Sequence, residues 1–129
     1  MFYDPNNIFA RIIRGEIPCN KVYEDPYTIG FHDVAPRAPI YVLVIPKGAY
    51  LRFSDFVARA YAEEIASFFQ AIGKIADELG LQEGGYRLIT NNGDHASQEV
   101  PHFHVHILGG APLGPMVSSI ENMKRVPGI

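Results

Sequence analysis

Three of the chain's five histidines stand two apart, in His102-Phe103-His104-Val105-His106, and the apolar pair Ile107-Leu108 follows them. In an extended strand, that period of two puts all three imidazoles on one face and Phe103, Val105 and Ile107 on the other. Such a face suits two chemistries. Neutral imidazole is a common ligand for zinc, iron or copper, and strand residues two apart can share one ion. Alternatively, one imidazole attacks phosphorus while its neighbours hydrogen-bond the non-bridging oxygens or protonate the leaving group. A merely polar strand face is the third reading, and it leaves the choice of histidine three times over unexplained.

The residues preceding the strand bear on that choice. Asn91 to Pro101 is long for a hairpin connection, which usually runs about 2 to 5 residues, and a long polar loop entering such a strand reads as functional. Its Asn91, Asn92, Gly93, Ser97 and Gln98 suit phosphate oxygens, whereas a metal site gives its ligands carboxylate or carbonyl partners. Asp94 and Glu99 keep the metal reading open.

The histidines need a scaffold, and the patterning predicts one. Asp4-Pro5-Asn6-Asn7 before Ile8, Phe9, Ile12 and Ile13 is a capping cluster followed by helical spacing that stops at Gly15. Lys21 to Glu24 and Thr28 to Asp33 read as short strands on either side of Asp25-Pro26. Ile40 to Ile45 reads as a third strand, between Pro39 and Pro46. This third strand is apolar at every position, which predicts a central place covered on both faces. One long helix is predicted between Ser54 and Leu79, with Ile65, Phe68, Phe69, Ile72, Ile75, Ala76 and Leu79 as its buried stripe and Gly80 as its stop. Tyr86 to Thr90 and His102 to Leu108 complete the strands. Neighbouring strands with few helices between them imply an α+β fold, a five-stranded and mostly antiparallel sheet with one short and one long helix.

Composition excludes several classes of function. A length of 129 residues predicts a single domain spanning 1–129. A hydrophobic fraction of 47% with 19% charged residues is that of an ordinary globule, not of a disordered chain. The net charge of −3 disfavours a nucleic acid polymer as partner but leaves a single phosphate possible. No apolar run approaches the roughly 20 residues of a membrane helix. Met1 to Asn7 lacks the pattern of a secretory signal, and the closing Lys124-Arg125-Val126-Pro127-Gly128-Ile129 carries no anchor motif. Cys19 is the only cysteine; it reads as a small buried hydrophobe, and a cytoplasmic location is expected.

The run of histidine, apolar, histidine, apolar, histidine and two apolars resembles the signature of the histidine triad (HIT) family. The likeness extends from Ile8 to Gly110. Ile8-Phe9, Ile12 and Gly15-Glu16-Ile17-Pro18 resemble the family's opening, Phe31-His32-Asp33-Val34 its second strand, and Ala38-Pro39 with Val44-Ile45-Pro46-Lys47 its third. Asn91, Gly93 and Gly109-Gly110 also match, and the spacing between blocks is that of the purine nucleoside phosphoramidase branch.

The resemblance implies a homodimer whose two sheets join into one, with a nucleotide pocket in each subunit. It implies hydrolysis of purine nucleoside phosphoramidates, of AMP or GMP type, to the nucleoside monophosphate and an amine through a nucleotidyl-histidine. No cofactor or metal ion is required. His104 is the implied nucleophile, its free nitrogen preserved by a hydrogen bond from the other to a nearby backbone carbonyl. His102 and His106 are implied to move protons and hold phosphate. Asn91 would touch the phosphate and Asp33 the two ribose hydroxyls, although aspartate also serves as a turn residue closing a strand. Ile8, Phe9, Ile12, Ile17, Phe31, His32 and Val34 would form an apolar slot for the base, or be plain core.

Three departures from the branch stand out. Tyr41 occupies the position of a fourth histidine of the proton network and is expected to bond His102, while Glu99 stands where a serine often lies near the leaving group. The tail Ala111-Pro112-Leu113-Gly114-Pro115 lacks the branch's tryptophan. A nucleotide-binding regulatory module with little turnover, and a metal-binding protein, are the alternatives.

Overall fold

The Asn7 side chain accepts a hydrogen bond from the Ala10 amide at 2.9 Å, capping the helix α1 (Ile8–Ile13) as the capping cluster predicts. Gly15, at φ +77°, turns the chain out of that helix in a conformation that a side chain would strain. This computed structural model describes residues 2–117; Met1 and residues 118–129, with the closing Lys124 to Ile129 run, lie outside the described residues. The elements that follow are β1 (Lys21–Glu24), β2 (Thr28–His32), β3 (Ile40–Pro46), α2 (Phe53–Arg59), α3 (Ala62–Glu78), β4 (Tyr86–Ile89) and β5 (Val105–Gly109). The strands form one sheet in the order β1-β2-β3-β5-β4, each pair antiparallel.

Alternation along the central strands divides the core into two. Val42 and Val44 of β3, with Val105 and Ile107 of β5, point to the side covered by α2 and α3, where Phe56, Phe68, Ile72 and Ile75 meet them. Tyr41, Leu43 and Ile45 point the other way, toward Phe9 of α1 and Phe31 of β2. The third strand is thus central and covered on both faces. Each large side chain buried there contributes about 1.5–3 kcal/mol. Gly30 of β2 lies under α3, and a Cβ there would sit 2.8 Å from the Ile75 Cδ1, so the bare backbone lets the helix lie close to the sheet.

The fold departs from the patterning in two places that matter. The single long helix is divided, because Ala60 and Tyr61 are extended at ψ 151° and 152°. The break lets Phe56 of α2 stack on Phe103 at 4.9 Å while Phe68 of α3 approaches the same ring at 5.2 Å. Phe69, expected in the buried stripe, is instead 43% exposed. The second departure is that β5 begins at Val105, so His102, Phe103 and His104 precede the ladder. Their backbone is bonded elsewhere: the Phe103 amide donates to the Tyr50 carbonyl at 2.7 Å, and the Thr90 hydroxyl donates to the His104 carbonyl at 2.7 Å.

Candidate active site

A cleft of about 820 Å³ opens on the face of the sheet that α1 leaves uncovered. Tyr41 and Leu43 from β3 and His106 and Leu108 from β5 form its floor, and His104 joins them from just before β5. The β2–β3 connection contributes Asp33 and Arg37, the loop after β4 contributes Asn91, Ser97 and Glu99, and α1 contributes Phe9. The cleft therefore mixes cations, carboxylates and apolar surface, the composition expected of a small-molecule site.

The three imidazoles occupy different environments. His104 Nδ1 lies 2.7 Å from the His102 carbonyl, an oxygen that can only accept, so Nδ1 carries the proton and Nε2 keeps its lone pair. The backbone carbonyl expected to fix this tautomer is that of His102. Burial lowers the His104 pKa, opposed by that hydrogen bond and by the charges of Asp33 and Glu99, so the ring stays neutral. His106 stands edge-on to His104 with ring centroids 5.0 Å apart. Burial, reinforced by His104, pushes its pKa down to about 4.

His102 does not face the cleft. Its ring is fully buried, Nε2 donates to the Pro46 carbonyl at 2.8 Å, and Nδ1 lies 2.6 Å from the Tyr3 hydroxyl. With both nitrogens engaged, it can neither hold phosphate nor ligate a metal without breaking a buried bond, which corrects the placement expected beside the phosphate. Tyr41 is corrected with it. Its hydroxyl lies 3.0 Å from His106 Nδ1, not on His102, because the ladder pairs Leu43 with His106 and Tyr41 with Leu108.

The neutral state of His102 carries a consequence for stability. Burial is the chief cause that lowers its pKa from 6.5 to about 4, with the Pro46 carbonyl opposing the shift and His104 adding to it. Between those values the unfolded chain binds a proton that the folded chain refuses, so stability present above pH 6.5 is lost as pH falls toward 4. The loss from this ring alone is about 3 kcal/mol. Thermal unfolding at pH 7.5 and at pH 4.5 should show a lower midpoint in acid; equal midpoints would mean that the ring is protonated as readily folded as unfolded.

The other expected site residues divide into those that reach the cleft and those that do not. Asn91, Asp33, Glu99 and Phe9 line it. The Asp33 carboxylate also accepts from the Ala35 amide at 2.8 Å through one oxygen, so it closes the strand and still presents a second oxygen. Of the seven residues expected to hold a base, Phe9 alone lines the cleft. Phe31 and Ile12 belong to the core behind it, Ile17 and His32 are partly buried outside it, Ile8 is 48% exposed and Val34 wholly so.

In the loop, Asn92 accepts from the Ser54 amide at the start of α2, and Gln98 bridges the Gly93 amide to the Leu51 and Val100 carbonyls. Both side chains shape the loop and neither lines the cleft; the Gln98 NH2 is spent on the two carbonyls, while Asn92 is bonded through its oxygen. Among the described residues, no three His, Cys, Asp or Glu side chains gather as a metal site. Three contributors were not read from the sequence. Arg37 and Arg87 line the cleft, Arg87 also donating to the Gly114 and Pro115 carbonyls. Tyr3 reaches His102 across 99 positions of sequence, a separation that no local pattern signals.

Residues 14–113 match the sequence pattern of the HIT domain family. The chain is 55% identical over 116 residues to an uncharacterized 13.2 kDa HIT-like protein of Azospirillum brasilense, spanning 90% of this chain and 95% of that one. It is 42% identical over 111 residues to a purine nucleoside phosphoramidase of Escherichia coli K12, spanning 86% and 92% of the two chains. Among solved structures, it resembles a HIT family hydrolase from Clostridium thermocellum with a TM-score of 0.80 at 40% identity, over 87% of this chain and 96% of that one. A histidine triad protein from Clostridium difficile aligns with a TM-score of 0.78 at 38% identity, over 88% and 98% of the chains. On this pattern, these identities and the shared fold, the chain belongs to the HIT family.

Proposed function

We propose that the protein hydrolyses purine nucleoside phosphoramidates, with His104 as the nucleophile. The observation that carries this reading is the lone pair on His104 Nε2, held available by the bond from Nδ1 to the His102 carbonyl and set beside His106 in an open cleft. The likeness to a phosphoramidase supports the choice of substrate. His104 Nε2 attacks the α-phosphorus, the P–N bond breaks, and the amine departs with a proton from His106 Nε2. Water then displaces His104 from phosphorus, giving the nucleoside monophosphate, and its proton returns to His106. The phosphate anion raises the His106 pKa on binding, which makes the imidazolium available when it is needed. The Tyr41 hydroxyl can donate to Nδ1 of neutral His106 or accept from Nδ1–H of the imidazolium.

Asn91 is assigned to the phosphate, Phe9 to the purine, Glu99 to the neighbourhood of the leaving amine, and Asp33 to the ribose hydroxyls through its unengaged oxygen. Asp33→Ala should weaken AMP or GMP by roughly tenfold and leave the dideoxy analogues much less affected, as read by calorimetry. Equal losses for both would show that Asp33 does not read the sugar.

A homodimer completes the reading. β4 is an edge strand with Leu88 46% exposed, so a second copy paired along it would close that edge and cover Leu88. Sedimentation at micromolar concentration should give a dimer, and a monomer there would contradict the assembly. Incubation with an adenosine phosphoramidate, with and without a chelator, tests the function itself. Release of AMP in both is expected, whereas a binding module would protect the substrate without consuming it.

A further inference from the structure

The segment that carries the nucleophile is not held by the sheet. β5 begins at Val105, so the orientation of His102 and His104 depends on anchors outside the strand ladder. Some are backbone bonds, from the His102 amide to Val100 and from the Phe103 amide to Tyr50. The His102 side chain supplies another, and it is a two-ended one: Nε2 donates to Pro46 at the end of β3, and Nδ1 meets the Tyr3 hydroxyl. Since Pro46 offers only a carbonyl, Nε2 must carry the proton, and Tyr3 is then the donor to Nδ1. The carbonyl of this same residue fixes the tautomer of His104 at 2.7 Å.

We propose that Tyr3 is a positioning residue of the active site: by donating to His102 it holds the His102 peptide where its carbonyl keeps His104 with the attacking nitrogen unprotonated. The tyrosine is itself well held. Asp4, its neighbour, accepts from the Asn7 amide at 3.1 Å and from the Asn7 side chain at 2.7 Å, and Asn7 caps α1. Helix α1 in turn sets Phe9 edge-on to His104 at 5.0 Å. The Tyr3 ring lies 5.5 Å from the His102 ring, so it both packs against the histidine and bonds it. The residues before α1, which carry no chemical motif, thus form part of the machinery. Without the hydroxyl, the buried Nδ1 has no partner, and the ring is held at its Pro46 end alone, which leaves it and its peptide less firmly fixed.

The test is Tyr3→Phe, which keeps the ring and removes only the donor. Its first readout is the nitrogen and proton NMR of the imidazoles in the unliganded protein, which needs no substrate. Wild type should show His104 in the Nδ1–H form, and Tyr3→Phe should show a mixture of tautomers. The second readout rests on the proposed phosphoramidase reading: kcat should fall roughly tenfold with KM held within about twofold. An unchanged His104 tautomer in Tyr3→Phe overturns the proposal, whatever happens to the melting temperature. If the tautomer changes in Tyr3→Phe while the wild type turns over no phosphoramidate, the functional reading fails and the positioning role stands.

Discussion

His104→Ala should bind AMP with near wild-type affinity and turn over phosphoramidates slower by a factor on the order of 10⁴ or more. The separation follows from the geometry. The rest of the cleft comes from Phe9, Asp33, Asn91 and the floor of β3 and β5, so removing one imidazole leaves the other contacts in place. The lone pair on His104 Nε2 has no understudy, because His102 is buried with both nitrogens bonded and His106 Nε2 carries the proton that the leaving amine takes. Calorimetry and steady-state kinetics on the same preparation measure both halves. His104→Gly extends the prediction, since it opens space for free imidazole to enter and attack in its place. Turnover that survives either change without added imidazole would remove His104 from the chemistry.

The second large effect is expected at His106, and it depends on the leaving group. An amine anion is a very poor leaving group, so breaking the P–N bond requires a proton in the transition state, and His106 Nε2 supplies it. His106→Gln should lower kcat/KM for an alkyl phosphoramidate by roughly 10²- to 10⁴-fold. A nucleotidyl ester of a nitrophenol needs no such proton and should be affected far less. Tyr41→Phe, which removes the hydroxyl 3.0 Å from His106 Nδ1, should cost within about tenfold, because the phenol orients the ring and does not donate to the leaving group. Equal losses on both substrates in His106→Gln would assign the residue to binding phosphate and not to proton transfer.

The fold was legible where periodicity and punctuation agree. The six apolar residues Ile40 to Ile45 announced a strand buried on both faces, and Asn7 with Gly15 bracketed a helix that the structure caps and ends there. The break at Ala60 and Tyr61 was not legible, since neither residue is a helix breaker and the cause is tertiary: two phenylalanines from successive helices converge on Phe103. The site follows the same division. Alternation separated His104 and His106 from Phe103, Val105 and Ile107, but it made all three histidines equivalent. What distinguishes His102 is the Pro46 carbonyl and the Tyr3 hydroxyl, partners 56 and 99 positions away. Likewise, the polar loop named plausible phosphate ligands, yet only the folded chain shows Asn92 and Gln98 already bonded to backbone.

The stereochemical course at phosphorus tests the covalent role of His104 most directly. A nucleoside phosphoramidothioate of defined configuration, hydrolysed in ¹⁸O water, gives a chiral thiophosphate whose handedness counts the displacements. Attack by His104 followed by attack by water inverts phosphorus twice, so the product should retain configuration. Inversion would mean that water displaces the amine in a single step, and would contradict the nucleotidyl-histidine.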